Sequence, residues 1–229
     1  MPGKLIVIDG LDGSGKSTQA ARVFSALREK EERLLLISYP DYQKPSSVLV
    51  RMYLAGDFSE NADDVNAYAA SSFYAVDRYA SYMLDWRRQY EEGWTILATR
   101  YTTSNAIHQM EKLPEAEWEE YLGWLSDYEY KKLGLPEPDL VLFLDMPRKI
   151  ADELVEARCI EEAIAKDIHE KNRAYLSRCQ KTAEFAAQKL GWRKIPCARE
   201  GSPLPVEQVT SQILNEIDSV LGESTVCKN

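Results

Sequence analysis

The chain has little of what would cross-link, anchor or electrostatically tether it. Its four cysteines, Cys159, Cys179, Cys197 and Cys227, include no C-x-x-C pair. That disfavours a zinc site and reads as scattered reduced thiols. Long hydrophobic runs are missing too: the longest, at residues 34–37 and 140–144, fall far short of the ~20 residues that span a bilayer. No cleavable leader pattern precedes the first strand-like run, so the expectation is a cytoplasmic protein with no membrane attachment. There is no repeat, low-complexity tract or flexible linker. Bases are outnumbered, 28 against 37 acids, for a formal net charge of −9. Such a chain repels polyanions, which disfavours gripping a nucleic-acid backbone. A small phosphorylated ligand is still allowed, because a local field can oppose the global sign.

What remains is ordinary globular material. An apolar fraction of 45% over 229 residues suits one large α/β domain spanning 1–229. Residues 4–9, 34–39, 95–99 and 140–145 are apolar runs of strand length, with a weaker fifth at 193–197. They do not alternate, as expected of strands covered on both faces of a parallel sheet. Helical stretches separate them, which points to βαβ units and a doubly wound sheet. Within 64–90, Val65, Ala69, Ser72, Phe73, Val76, Ala80 and Met83 recur at steps of three and four and predict an apolar stripe on a long helix. Residues 149–171 are helical in composition but highly charged. Residues 198–205 read as a loop before a final helix over 206–221.

Gly10-Leu11-Asp12-Gly13-Ser14-Gly15-Lys16-Ser17 fits G-x-x-x-x-G-K-[ST] directly after a strand and at the opening of a helix. Glycines let the backbone curl so that successive N–H groups face phosphate oxygens, and the following helix adds the positive end of its dipole. Lys16 can reach the β- and γ-phosphates, and the Ser17 hydroxyl can ligate Mg²⁺. ATP or GTP binding is the expectation, but a phosphate loop alone does not name a reaction.

A second set of residues suits another nucleotide. Tyr74 and Arg78 are four apart and share a helix face, so a base could stack on one and an anion meet the other. A core-edge tyrosine packing on an arginine stem has the same spacing. Arg100 follows the run 95–99, and ligands of open α/β sheets bind at the carboxyl ends of strands. It therefore approaches the phosphate loop if the two strands are neighbours. Ser104 and Asn105 come next. An Asn amide offers an acceptor and a donor, matching a pyrimidine edge, although polar caps at a helix start look alike. Residues 110–132, with Trp118, Tyr121, Trp124 and Tyr128 at helical spacing, read as packing.

Together these residues resemble the thymidylate kinase family. The shared features are IVIDGLDGSGKSTQ (6–19), the Tyr39-Pro40 pair after the second strand, FYAVDR (73–78), TRYTTSNA (99–106) and LGLPEPDLVLFLD (133–145). The resemblance runs from residue 5 to about 190. It implies the three-layer P-loop NTPase fold, a five-stranded parallel sheet flanked by helices with a helical lid over 149–171. It also implies phosphoryl transfer from ATP to dTMP with Mg²⁺. ATP would lie along the phosphate loop through Thr18. Asp12 is similar to the acid that contacts the acceptor sugar and helps organise the metal with Ser17. Tyr39, Pro40, Tyr74, Ser104 and Asn105 match acceptor-site positions. Arg78 resembles the residue that clamps the dTMP phosphate, and Asn105 would read the thymine edge together with it. Arg100 resembles the arginine facing the phosphates between the two nucleotides. His108 stands where a tyrosine commonly reports on the sugar 2′ position.

Two further departures bear on mechanism. Thr99 replaces the aspartate that usually precedes the arginine. Position 13 is glycine, and the resemblance implies that the lid supplies an arginine, as is usual in the family when the phosphate loop lacks one. Among the lid bases Arg148, Lys149, Arg158, Lys166 and Lys171, the choice falls on Arg158, with the D-x-x-E pattern of Asp167 and Glu170, spanning His169, at the lid's exit. Two alternatives stay open: a kinase for another pyrimidine nucleotide such as dUMP, or a P-loop switch, partition ATPase or non-catalytic homologue that binds nucleotide without phosphorylating an acceptor. Family relatives are commonly dimers through the long helices. Tyr79, Tyr82 and Trp86 would serve a homodimer or the core equally well.

Overall fold

Strands that are apolar on both faces need cover on both sides. The computed structural model describes residues 2–59, 61–162 and 173–226, and of residues 62, 157–162, 173–174 and 223–226 the backbone only. Its central sheet contains β1 (Lys4–Gly10), β2 (Leu34–Ser38), β3 (Thr95–Thr99), β4 (Leu140–Asp145) and β5 (Arg193–Pro196). These lie in the order β2-β3-β1-β4-β5, all parallel. The helices are α1 (Lys16–Arg28), α2 (Val48–Ala55), α3 (Ala67–Ser81), α4 (Arg87–Glu91), α5 (Thr102–His108), α6 (Trp118–Ser126), α7 (Arg148–Glu162), α8 (Arg173–Lys189) and α9 (Val206–Val226). Val23 of α1 and Ile213 and Ile217 of α9 pack with Ile6 and Ile8 in one core cluster. Ala106 and Ile107 of α5, Tyr121 of α6 and Cys179 of α8 pack with Phe143 in another. No helix among the described residues is long and apolar enough to cross a membrane.

The register positions the site. β1 is flanked by β3, with Ile8 opposite Thr99, and by β4, with Gly10 opposite Leu144. β2 joins β3 with Ser38 opposite Thr99. The phosphate loop after β1, Arg100 after β3 and Tyr39-Pro40 after β2 therefore leave the sheet side by side at its carboxyl edge, where such folds bind ligands.

Two expectations change. The long helix begins at Ala67, where Asn66 accepts a hydrogen bond from the Ala69 amide at 2.8 Å as an N-cap. It continues from α3 through a π-helical turn at Tyr82–Trp86 into α4. Its buried face is not the predicted stripe. Ala67, Ala70, Ser71, Ala75, Arg78, Tyr82 and Trp86 turn inward, while Val76, Tyr79 and Met83 stay exposed beside Leu84 at 83%. The face is rotated because the core accepts polar groups that find partners there: Arg78 meets Glu129, and Asp77 accepts from the Ser46 hydroxyl at 2.6 Å. Of Tyr79, Tyr82 and Trp86, the last two are thus core and only Tyr79 faces outward. Residues 198–205, expected as loop, contain a small antiparallel hairpin of β6 (Ala198–Arg199) and β7 (Ser202–Pro203). Glu200 and Gly201 at its tip have φ of 52° and 79°, the two positive values of a type I′ turn.

Candidate active site

The phosphate loop curls back on itself between β1 and α1. Gly15 has φ 87° and Gly13 φ 80°, and a Cβ at Gly13 would stand 2.4 Å from the Ala151 carbonyl oxygen of α7. Only glycine lets α7 approach the loop this closely. Lys16 Nζ donates to the carbonyls of Gly10 and Leu11 at 2.8 Å each and lies 3.7 Å from Asp12. Burial, reinforced by the Arg100 charge, lowers its pKa to about 8. Arg158 lies on α7, but its side chain is outside the described residues, as are Lys166, Asp167, His169, Glu170 and Lys171 altogether.

Arg100 follows β3 at φ 59°, a left-handed backbone that costs a non-glycine residue energy and recurs at functional positions. Its Nη2 donates to Asp12 Oδ1 and its Nη1 approaches His108 Nε2 at 3.3 Å. A guanidinium only donates, so Nε2 accepts. The His108 proton then resides on Nδ1, which faces the Tyr175 hydroxyl at 3.1 Å. Burial pushes His108 down to about 3, which leaves the ring neutral near pH 7. Burial disfavours the Asp12 charge as well, but Arg100 and Lys16 outweigh it and hold the carboxyl well below its usual range. Asp9, fully buried, accepts from the Thr103 and Ser104 hydroxyls at 2.6 and 2.7 Å. It ties the start of α5 to β1 and so fixes where Ser104, Asn105 and His108 stand. Thr99 donates to the Ser38 hydroxyl at 2.7 Å.

A second polar cluster is wholly buried. Arg78 Nε and Nη2 donate to the two carboxylate oxygens of Glu129 at 2.7 and 2.6 Å, a bidentate pair. Asn105 Nδ2 donates to Glu129 Oε1 at 3.0 Å and to the Ser71 carbonyl at 3.1 Å. Tyr74, one turn before Arg78, meets Tyr53 edge-on at 6.4 Å.

Both clusters open on one cavity of about 490 Å³, a size that suits a small ligand. Asp12, Arg100, His108 and Ser104 line it together with Tyr74, Arg78 and Asn105, and Tyr39 and Pro40 complete the set expected at the acceptor site. The Thymidylate kinase family model matches residues 8–196. The chain belongs to the thymidylate kinase family. Thymidylate kinases of Mycobacterium tuberculosis and Schizosaccharomyces pombe are 28% identical over 204 residues and 27% identical over 219. The first alignment covers 87% of this chain and 93% of the relative, the second 95% and 93%. The fold is similar to that of the Candida albicans thymidylate kinase, with a TM-score of 0.69 at 23% identity over 95% of this chain and 92% of that one.

Several residues of this thymidylate kinase family member were not picked out from sequence. Ser38, Tyr42, Leu54, Gln109 and Tyr175 also line the cavity. Glu129 falls in the stretch read as aromatic packing, and Tyr121 there is indeed fully buried. Glu129, however, sits on a π-helical turn, Asp127–Lys132, that directs it to Arg78. An acid flanked by Tyr128 and Tyr130 was the available signal. For Asp9 it was a carboxylate ending an otherwise apolar strand.

Proposed function

We propose that the chain transfers the γ-phosphoryl group of Mg-ATP to the phosphate of dTMP, giving dTDP and ADP, with residues 1–229 acting as one kinase domain. The observation that carries this reading is the 490 Å³ cavity, shared by the phosphate-loop acid Asp12 and by a second cluster equipped for a base. A nucleotide switch or partition ATPase needs no such second pocket.

ATP would lie along Gly10–Thr18, with Lys16 exchanging its two loop carbonyls for phosphate oxygens. The acceptor phosphate would face Arg100, held between Asp12 and His108. Arg78 is assigned to the base rather than to the phosphate, because Glu129 already neutralises its guanidinium. Tyr74 supplies the stacking ring, with Tyr39, Pro40 and Ser104 enclosing the nucleotide. No general base is required, since a phosphate monoester with its second pKa near 6 is largely dianionic at neutral pH. The chain's work is alignment and charge compensation by Lys16, Arg100 and a lid base, for which Arg158 is the choice.

Among the described residues no cluster of three or more His, Cys, Asp or Glu could hold a metal. Magnesium in phosphoryl transfer needs fewer protein ligands, one or two groups beside substrate phosphates and water. The exposed Ser17 hydroxyl and the ionised Asp12 carboxylate fit that demand. Bound there, the ion would neutralise charge on the β- and γ-phosphates.

We also propose a homodimer, joined through the exposed Val76, Tyr79, Met83 and Leu84 on the outer face of the α3–α4 run. The setting would be cytoplasmic, in keeping with the buried free thiols Cys179 and Cys197. Light scattering should give twice the 26.1 kDa chain mass, and Leu84→Glu should return it to a single chain. The test of function is ADP release measured with each nucleoside monophosphate in turn. Stimulation by dTMP above the others is expected. Stimulation by none would remove the kinase reading.

A further inference from the structure

We infer that Glu129 is a positioning residue that sets the hydrogen-bond polarity of the base-facing wall. It makes the cavity accept a pyrimidine with a 4-keto group and an N3–H, and reject one with a 4-amino group and a bare N3. This rests on the acceptor-nucleotide reading above and adds the residue that enforces it. An Asn amide can in principle stand either way round. Here its nitrogen faces two oxygens, the Glu129 carboxylate and the Ser71 carbonyl. The reversed amide would set Oδ1 against both, so that orientation is excluded and both Nδ2 hydrogens are spent. Oδ1, an acceptor, is what Asn105 has left for a ligand.

The same carboxylate engages Nε and Nη2 of Arg78. Nη1 donates to none of the described residues and, with the second N–H of Nη2, is the donor capacity that remains. Asn105 and Arg78 both line the cavity, whereas Glu129 does not and is 0% exposed. It therefore acts through the other two. An acceptor beside a donor complements the N3–H and O4 of thymine or uracil. Cytosine would set its N3 lone pair against Oδ1 and its amino group against a guanidinium N–H. A buried ion pair is weak evidence for stability, since a hydrophobic replacement is often as stable. A role in orienting Asn105 and Arg78 accounts for its presence, and π-helical turns such as Asp127–Lys132 are frequent at functional positions.

The experiment is calorimetric binding of dTMP, dUMP, dCMP and N3-methyl-dTMP to the full chain and to Glu129→Gln and Glu129→Asp, with ADP release followed alongside. In the natural chain, dCMP and N3-methyl-dTMP should bind at least ~100-fold more weakly than dTMP, because each leaves buried polar groups unpaired, while dUMP keeps the preference over dCMP. Glutamine offers one acceptor where the carboxylate offers two and lets the Asn105 amide turn. Glu129→Gln should cut the dTMP-over-dCMP preference at least ~10-fold, in KM rather than kcat, and Glu129→Asp should retain more of it. Natural chain that binds dCMP or N3-methyl-dTMP about as tightly as dTMP overturns the inference. So does a folded Glu129→Gln, checked by circular dichroism, whose preference stays within about twofold of the natural chain. If Glu129→Gln does not fold, the ligand series on the natural chain and on Glu129→Asp decides. Base discrimination in calorimetry without acceptor-dependent ADP release defeats the kinase reading and leaves this one supported.

Discussion

The two polar clusters of the cavity pair cations with carboxylates in different proportions. At the phosphate loop Lys16 and Arg100 share the carboxylate of Asp12, while the nearby Asp9 is engaged by two hydroxyls and a backbone amide. Against burial, Asp12 and Asp9 raise the Arg100 pKa as Glu129 raises that of Arg78. Burial and Arg100, however, lower the Lys16 pKa to about 8, so Lys16 is the cation there that is short of negative charge. At the other cluster, burial works against the Arg78 charge too, yet Glu129 more than compensates and its pKa is raised. One cluster wants an anion and the other is already neutral. On the function proposed above, the first would receive phosphate, and the second would present hydrogen bonds of fixed direction. An acidic protein can thus hold two nucleotides because only a small part of its interior is left under-compensated.

The largest expected effect breaks the first cluster. Arg100→Ala should lower kcat by ~10³-fold or more, within the range for arginines that stabilise transferring phosphoryl groups. Binding of ATP, carried by the loop amides and Lys16, should change by less than ~10-fold. Steady-state kinetics and nucleotide titration check this pair of numbers, and equal losses in both would remove Arg100 from its assigned place. The matching change in the second cluster, Arg78→Ala, should act on the KM for the acceptor.

Next in size is a difference in stability. Glu129→Ala leaves Arg78 buried and unpaired, which should cost about 3–5 kcal/mol in urea unfolding. Asp12→Asn should cost less than half of that, because the Arg100 side chain is 29% exposed and water can replace its partner. If the two variants lose equal stability, the contrast between a partly solvated charge cluster and a buried one fails.

These clusters also differ in how far the sequence reveals them. Phosphate-loop chemistry is local: glycines, Lys16 and Ser17 within one turn, after a strand and before a helix. Arg100 required one tertiary fact, that β1 and β3 are neighbours, and sheet rules supply it. The strands were legible to within a residue or two because burial on both faces leaves an unbroken apolar run. The buried cluster is different. Arg78 and Glu129 are 51 positions apart, and the π-helical turn that aims Glu129 leaves no period in the sequence. The α3 stripe misled for the same reason: periodicity locates an apolar face, but a satisfied buried arginine can claim the core face instead. The hairpin at 198–203 was missed because its Glu-Gly turn lacks the usual Asn or Asp.

The smallest effect tests the link between Arg100 and His108. His108 is buried and neutral, with a folded-state pKa of about 3 against an ordinary value near 6.5. Above pH 6.5 the ring is neutral folded or unfolded and contributes no pH dependence. As pH falls below 6.5 the unfolded chain takes up a proton that the folded ring refuses, so stability drops until about pH 3. At pH 5 that is about 2 kcal/mol below the value at pH 7. The groups facing the ring do not titrate in this window: Asp12 is held well below it, Lys16 stands at about 8 and burial raises Cys179. His108→Gln keeps an acceptor for Arg100 and removes the titration. Its unfolding free energy should therefore fall about 2 kcal/mol less between pH 7 and pH 5 than that of the natural chain. An identical fall in both proteins would mean that His108 is not the neutral acceptor that holds Arg100, and Arg100 would then depend on Asp12 alone.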